Sequence, residues 1–197
     1  MDILNIMKSQ GGYNSNNMNI PDELMKKGKE LCWQYNQTSP NESEKRILIL
    51  KELFGTCNDL TFIEPSFRCD YGFNIHTHGL TVINYNCVIL DTSPVNIGAN
   101  VFIGPGVCIS CAGHAIDAKQ RRQAITTSKP ITIGEDVWIG ANATICPGVT
   151  IGAGSVIGAG SVVTKDIPAG VVAAGSPCKV IREITEADEI NFNEIAF

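Results

Sequence analysis

The chain has 197 residues, enough for one domain with a real hydrophobic core and too few for two independent folding units. Hydrophobic residues make up 44% and charged residues 18%, with 19 glycines and 9 prolines, which excludes a disordered chain and points to short regular elements joined by many turns. A formal net charge of -5 gives no global attraction for nucleic acid or an anionic membrane, so neither is expected as a partner and any polyanionic ligand must be met by local Lys and Arg clusters.

The first ten residues, MDILNIMKSQ, lack a basic region followed by an apolar run and a cleavage signal, and no window approaches the length of a transmembrane helix. A cytoplasmic location is expected. The polar stretch GGYNSNNMN that follows is expected to be mobile. Residues 22 to 55 then turn helical: Asp22 is placed to cap, Leu24, Leu31 and Tyr35 mark one apolar face, Pro40 separates two helices, and SEKRILILKELFG ends at Gly55. The chain divides into an N-terminal helical segment over 1–58, a repeat region over 59–184 with a loop at 110–130, and a tail over 185–197.

Within the repeat region, aliphatic residues recur every sixth position. The period is weak at Ile83 and Ile89, clearer at Ile97, Ile103 and Ile109, and unbroken through Ile133, Ile139, Ile145, Ile151, Ile157 and Val163. Small or short residues (Val137, Ala143, Val149, Ser155, Ser161) sit four places after the aliphatics. Six suits neither a helix nor a lone strand, but it does suit a short strand plus corner repeated around a triangular coil. Stacked coils, about 4.8 Å apart, would put the aliphatics in inward columns. The predicted class is a mainly β parallel β-helix of hexapeptide repeats. Pro168 and Pro177 break the repeat, and KVIREITEADEI is expected to form a closing strand and a short C-terminal helix.

Between Ile109 and Ile133 the period gives way to SCAGHAIDAKQRRQAITTSKPIT, a polar and basic excursion that a purely structural solenoid does not need. His114 stands at its root, where a rigid coil would hold it. The eight cysteines are scattered apart from Cys108 and Cys111, which lie inside the repeat and read as packing residues with free thiols.

The segments FRCDYGFNI, INYNCVILD, GHAID, KPITIGEDVWIGANATICPGVTIG and AGSVVTKDIPAGVVAAGSPCKVIREI together resemble the maltose and galactoside O-acetyltransferases, from near Leu31 to about Ile184. The resemblance implies a left-handed β-helix, a homotrimer with active sites between subunits, acetyl-CoA as cosubstrate with no metal, and a small-molecule sugar acceptor. It assigns His114 as the general base that takes the acceptor's hydroxyl proton by direct transfer. Asp70 and Asn84 match acceptor-binding positions, Asp91 is a further acceptor-site candidate beside Thr92, and Asn16 stands where the galactoside enzyme has an aspartate. Ala141 replaces that enzyme's serine, so the backbone N–H near Ala141 is expected to serve the developing oxyanion. Ala159, Thr164 and Lys165 match positions along the pantetheine arm, and Lys179 and Arg182 match basic positions at the phosphoadenosine end.

Other readings of the same residues are an amino-sugar or a chloramphenicol/streptogramin-type xenobiotic acetyltransferase, a zinc protein similar to γ-type carbonic anhydrases, and a non-catalytic solenoid. Zinc would need three histidines, and the chain offers His76, His78 and His114. With Thr77 in the inward position, the rings of His76 and His78 are expected to face outward.

Overall fold

A computed structural model of the chain describes residues 5, 7, 12–15 and 22–191. The repeat winds into a three-faced prism in which successive strands rotate through three parallel sheets. Face I carries Thr61–Ile63, Thr81–Ile83, Val101–Ile103, Trp138–Ile139, Val156–Ile157 and Val171–Ala174. Face II carries Arg68–Cys69, Val88–Leu90, Cys108–Ser110, Thr144–Ile145 and Val162–Val163. Face III carries Ile75–Thr77, Val95–Ile97, Ile131–Ile133 and Thr150–Ile151.

The sixfold aliphatics fill the interior as expected: Ile133, Ile139, Ile145, Ile151, Ile157 and Val163 are all buried, as are Val137, Ala143, Val149, Ser155 and Ser161. Their burial is what closes the prism, since each inward side chain stacks on the equivalent one a coil away, Ile103 on Ile139 and Ile139 on Ile157. In the upper coils Trp138 lies opposite Val156, 18 residues on, but in the lower coils Thr61, Thr81 and Val101 are spaced by 20. The extra two residues enter at face III, where both ends of the three-residue strands Ile75–Thr77 and Val95–Ile97 point inward.

Two helices precede the prism, α1 (Asp22–Asn36) and α2 (Ser43–Leu53), on either side of Pro40. Asp22 is the first helical residue, and the position that would cap it lies outside the described residues. Leu31 and Tyr35 are buried against the first coils, with Leu24 only partly covered. Gly28 allows α1 to approach the prism closely, because a Cβ there would lie 2.6 Å from the Tyr71 carbonyl oxygen. At the far end, Lys179–Glu183 pairs antiparallel with Val171–Ala174 and covers that edge of face I. The helix expected after it is a single 3-10 turn, Glu186–Asp188.

The excursion after Ile109 is an ordered arm. Its ends are tied where the Lys129 N–H donates to the Cys111 carbonyl at 3.0 Å, so the coil resumes as if uninterrupted. Inside the arm, Ala112–His114 pairs antiparallel with Ile125–Ser128, joined through a short helix α3 (Ala118–Arg122) whose first turn is capped by the Asp117 carboxylate. Gly12–Asn14, in the stretch expected to be mobile, instead adds a third strand to this sheet by pairing with Ile125–Ser128.

Candidate active site

The II/III edge of the prism gathers most of the ionisable chemistry. Asp91 lies here at 0% exposure. Its carboxylate accepts from the backbone N–H groups of Asp70 (3.1 Å), Tyr71 (2.9 Å) and Asn74 (3.3 Å), while the Asn74 amide returns a bond to the Asp91 carbonyl at 2.8 Å. Burial pushes the Asp91 carboxyl up to about 6, further raised by Asp70 and opposed by the Tyr71 and Asn74 N–H donors. The resemblance offers Asp91 as a residue that touches the acceptor. Its oxygens are instead enclosed and committed to the backbone N–H groups of the Asp70–Asn74 corner, which they hold in place.

Asp70 itself is half-buried, its carboxyl raised by burial and drawn back by Lys29. The arm hangs over this corner. Ser128 on the arm bonds the hydroxyls of Thr92 (2.7 Å) and Ser93 (2.6 Å), immediately after Asp91. Thr126 lies two residues from Ser128 on the same face, and His114 is directly opposite Thr126 in the ladder. His114 is therefore presented, solvent-exposed, from a braced hairpin on the face that looks at the Asp70–Asp91 edge.

Further up the same edge, a polar cleft of about 620 Å³ is lined by Thr164, Lys165 and Asp166 together with Lys129, Pro147 and Thr150. Asn84, Ala141 and Ala159 lie on a different edge, between faces I and II. Asn84 caps its own corner, its side-chain oxygen accepting from the Tyr85 N–H at 2.8 Å. Glycines stack beside the two alanines: a Cβ on Gly104 would lie 2.7 Å from the Ala141 nitrogen, and one on Gly140 would lie 2.6 Å from the Ala159 nitrogen. Among the described residues neither amide N–H has a backbone acceptor, which leaves both as donors for a ligand lying along this edge.

The basic end is less open than its sequence indicates. Arg182 forms a two-pronged pair with Asp188 (2.6 and 2.7 Å), which holds the Asp188 carboxyl down at about 2. Lys179 has no ion-pair partner among the described residues. Thr164, Lys165, Lys179 and the bare N–H groups of the alanine edge suit a long, flexible ligand with anionic groups, as coenzyme A is. Asn16 lies outside the described residues.

The His76 ring meets the Thr56 hydroxyl at 3.1 Å on the outer side of face III, His78 is exposed, and Thr77 points inward. Among the described residues no three His, Cys, Asp or Glu side chains are grouped to hold a metal ion. Cys108 is on the outer side of face II and Cys111 is buried in the interior, so the pair cannot chelate, and all eight cysteines are free thiols.

A motif described as "Maltose acetyltransferase hexapeptide capping motif" matches residues 7–58, and "Bacterial transferase hexapeptide (six repeats)" matches residues 130–165. The galactoside O-acetyltransferase of Escherichia coli is 47% identical over 170 residues, covering 86% of this chain and 83% of that protein. A maltose O-acetyltransferase from Clostridium difficile superimposes with a TM-score of 0.90 at 44% identity, covering 94% of this chain and 99% of that one. A galactoside acetyltransferase solved in complex with coenzyme A gives a TM-score of 0.88 at 41% identity, covering 98% and 96% of the two chains. With alignments of this extent taking in its capping helices, its hexapeptide prism and its histidine-bearing arm, the chain belongs to the maltose and galactoside O-acetyltransferase family.

Proposed function

We propose that the chain transfers acetyl from acetyl-CoA to a hydroxyl of a sugar such as maltose, glucose or a galactoside, directly, with His114 as general base. The observation that carries this reading is the arm, which presents His114 at the II/III edge on a sheet anchored to that edge through Ser128. An alcohol becomes a competent nucleophile only as its proton leaves, and the nitrogen of a neutral imidazole can accept that proton. Bound acetyl-CoA supplies the thioester carbonyl. The Ala141 N–H is the donor for the oxygen of that carbonyl as charge builds on it.

The residues assigned to one reaction lie on two separate edges of the subunit: Asp70, His114, Thr164 and Lys165 on one, Asn84, Ala141 and Ala159 on the other. Packing of copies around a threefold axis would reunite the halves, so we place the active sites between subunits of a homotrimer. Face I supports this assembly. Its outer side carries a register-matched apolar stripe of Phe62, Val82, Phe102, Trp138, Val156 and Val172, with Phe62, Phe102 and Trp138 each about half exposed. Face III, by contrast, shows His76, Asn96, Thr132 and Thr150 in the matching row. A cytoplasmic location agrees with eight free thiols and with a cytosolic cosubstrate.

The test is release of free thiol from acetyl-CoA in the presence of maltose, glucose, galactosides, glucosamine or chloramphenicol. Turnover with the neutral sugars is expected. Turnover only with glucosamine or chloramphenicol would move the acceptor assignment to an amino sugar or a xenobiotic, and no thiol release together with no coenzyme binding would overturn the enzyme reading.

A further inference from the structure

The arm's third strand places a residue in the site that the acceptor positions named above do not include. Tyr13 lies directly opposite Thr126, and Thr126 directly opposite His114, so the three form one row across an antiparallel sheet. Residues paired in this way project from the same side of the sheet. Tyr13 and His114 therefore stand on one face, two ladder steps or roughly 10 Å apart, with the short Thr126 side chain between them as a floor. The Thr126 hydroxyl is turned to the Ala124 carbonyl at 3.3 Å and Thr126 is buried, so the floor is closed.

The row is a trough with Tyr13 at one end and His114 at the other, and the Asp70 corner stands beside the Tyr13 end. Asp70 is near enough to Tyr13 for its charge to act on the phenol, and Tyr71 senses both groups. Tyr13 is half-buried, yet among the described residues its hydroxyl forms no hydrogen bond. Burial, then Asp70, raises the phenol above its ordinary value, so the hydroxyl keeps its proton and remains a donor at neutral pH.

We propose that Tyr13 is an acceptor-binding residue whose hydroxyl, paired with the Asp70 carboxylate, holds a ring hydroxyl of a polyhydroxylated acceptor at the opposite end of the trough from His114. This rests on the sugar-acetyltransferase reading above. The donor and the carboxylate fix one end of the ring, which determines the hydroxyl that arrives at the imidazole. Tyr13 thus selects the position acetylated as well as binding the acceptor.

Steady-state kinetics of Tyr13→Phe test the idea, with the best neutral sugar as acceptor and then with its single-deoxy analogues. Loss of one hydrogen bond raises the acceptor KM between about twofold and tenfold, with the acetyl-CoA KM unchanged and the acetyl group spread over more than one ring position of the product. One deoxy analogue should be penalised by a similar factor in the unsubstituted protein and should no longer be distinguished by Tyr13→Phe. An unchanged acceptor KM, or a joint fall in kcat and rise in both KM values with a lowered thermal midpoint, overturns the assignment and leaves Tyr13 a structural residue. If the unsubstituted protein transfers acetyl to no sugar, the sugar reading fails and this inference fails with it.

Discussion

Replacing Asp91 with asparagine should change how stability depends on pH as well as how large it is. In the folded chain the carboxyl is raised from 3.8 to about 6, first by burial and then by Asp70. Because the folded value lies above the unfolded one, folding binds a proton in this window: the contribution is full below the unfolded value and is lost as pH rises through the folded one. The rise from 3.8 to about 6 corresponds to about 3 kcal/mol, most of it falling between about pH 4 and pH 7.5. The substituted side chain has no charge to bury, although its amide group meets one of the three backbone N–H donors with the wrong polarity. That mismatch is constant with pH and costs about 1 to 3 kcal/mol. The stability of the unsubstituted protein minus that of Asp91→Asn should therefore fall by roughly 2 to 3 kcal/mol from about pH 4 to pH 7.5. Urea unfolding of both proteins at one protomer concentration measures it. A difference that stays constant across this range would refute the argument that burial of the carboxylate dominates at this corner.

His114→Ala should lower turnover by on the order of a hundredfold or more with the thermal midpoint retained, since the ring is exposed and the hairpin is held by backbone bonds. Lys165→Ala and Arg182→Ala should weaken coenzyme binding, with a reduced dependence on salt, while the acceptor KM stays near its original value, as read by calorimetry and kinetics. Asp188→Asn should act in the opposite direction, tightening coenzyme binding by about two- to fivefold, because Arg182 is released from its two-pronged pair. Phe102→Lys should shift the protein to monomers in analytical ultracentrifugation, and acetyl transfer should fall with the assembly, since a charge then interrupts the face I stripe.

The prism is legible from the chain wherever one six-residue phase runs unbroken, from Ile133 to Val163. Upstream the same physics is obscured by overlap. Val95 continues the phase of Ile83 and Ile89 while Ile97 begins that of Ile103 and Ile109, and the strand holding both points each of them inward. The arm is recognisable as an interruption but not as a sheet, because its strands are too short and polar to show alternation and their partner, Gly12–Asn14, lies about a hundred residues away. Tyr13 escapes sequence reasoning for that reason. Asp91 is legible as a site residue only through resemblance, and its enclosure depends on a corner one coil below that sequence spacing does not reveal. The Arg182 and Asp188 pair has a visible signal in Thr185 followed three residues later by Asp188, which closes as a capping box and brings the carboxylate back to the strand.

Because the arm leaves at Cys111 and returns at Lys129 across a single hydrogen bond, the winding below and above it keeps its register whatever lies between. The molecule thus separates a fixed chassis, which sets the spacing of the coils, from an inserted arm that carries His114. The arm can therefore change in length or sequence without unpicking the stack.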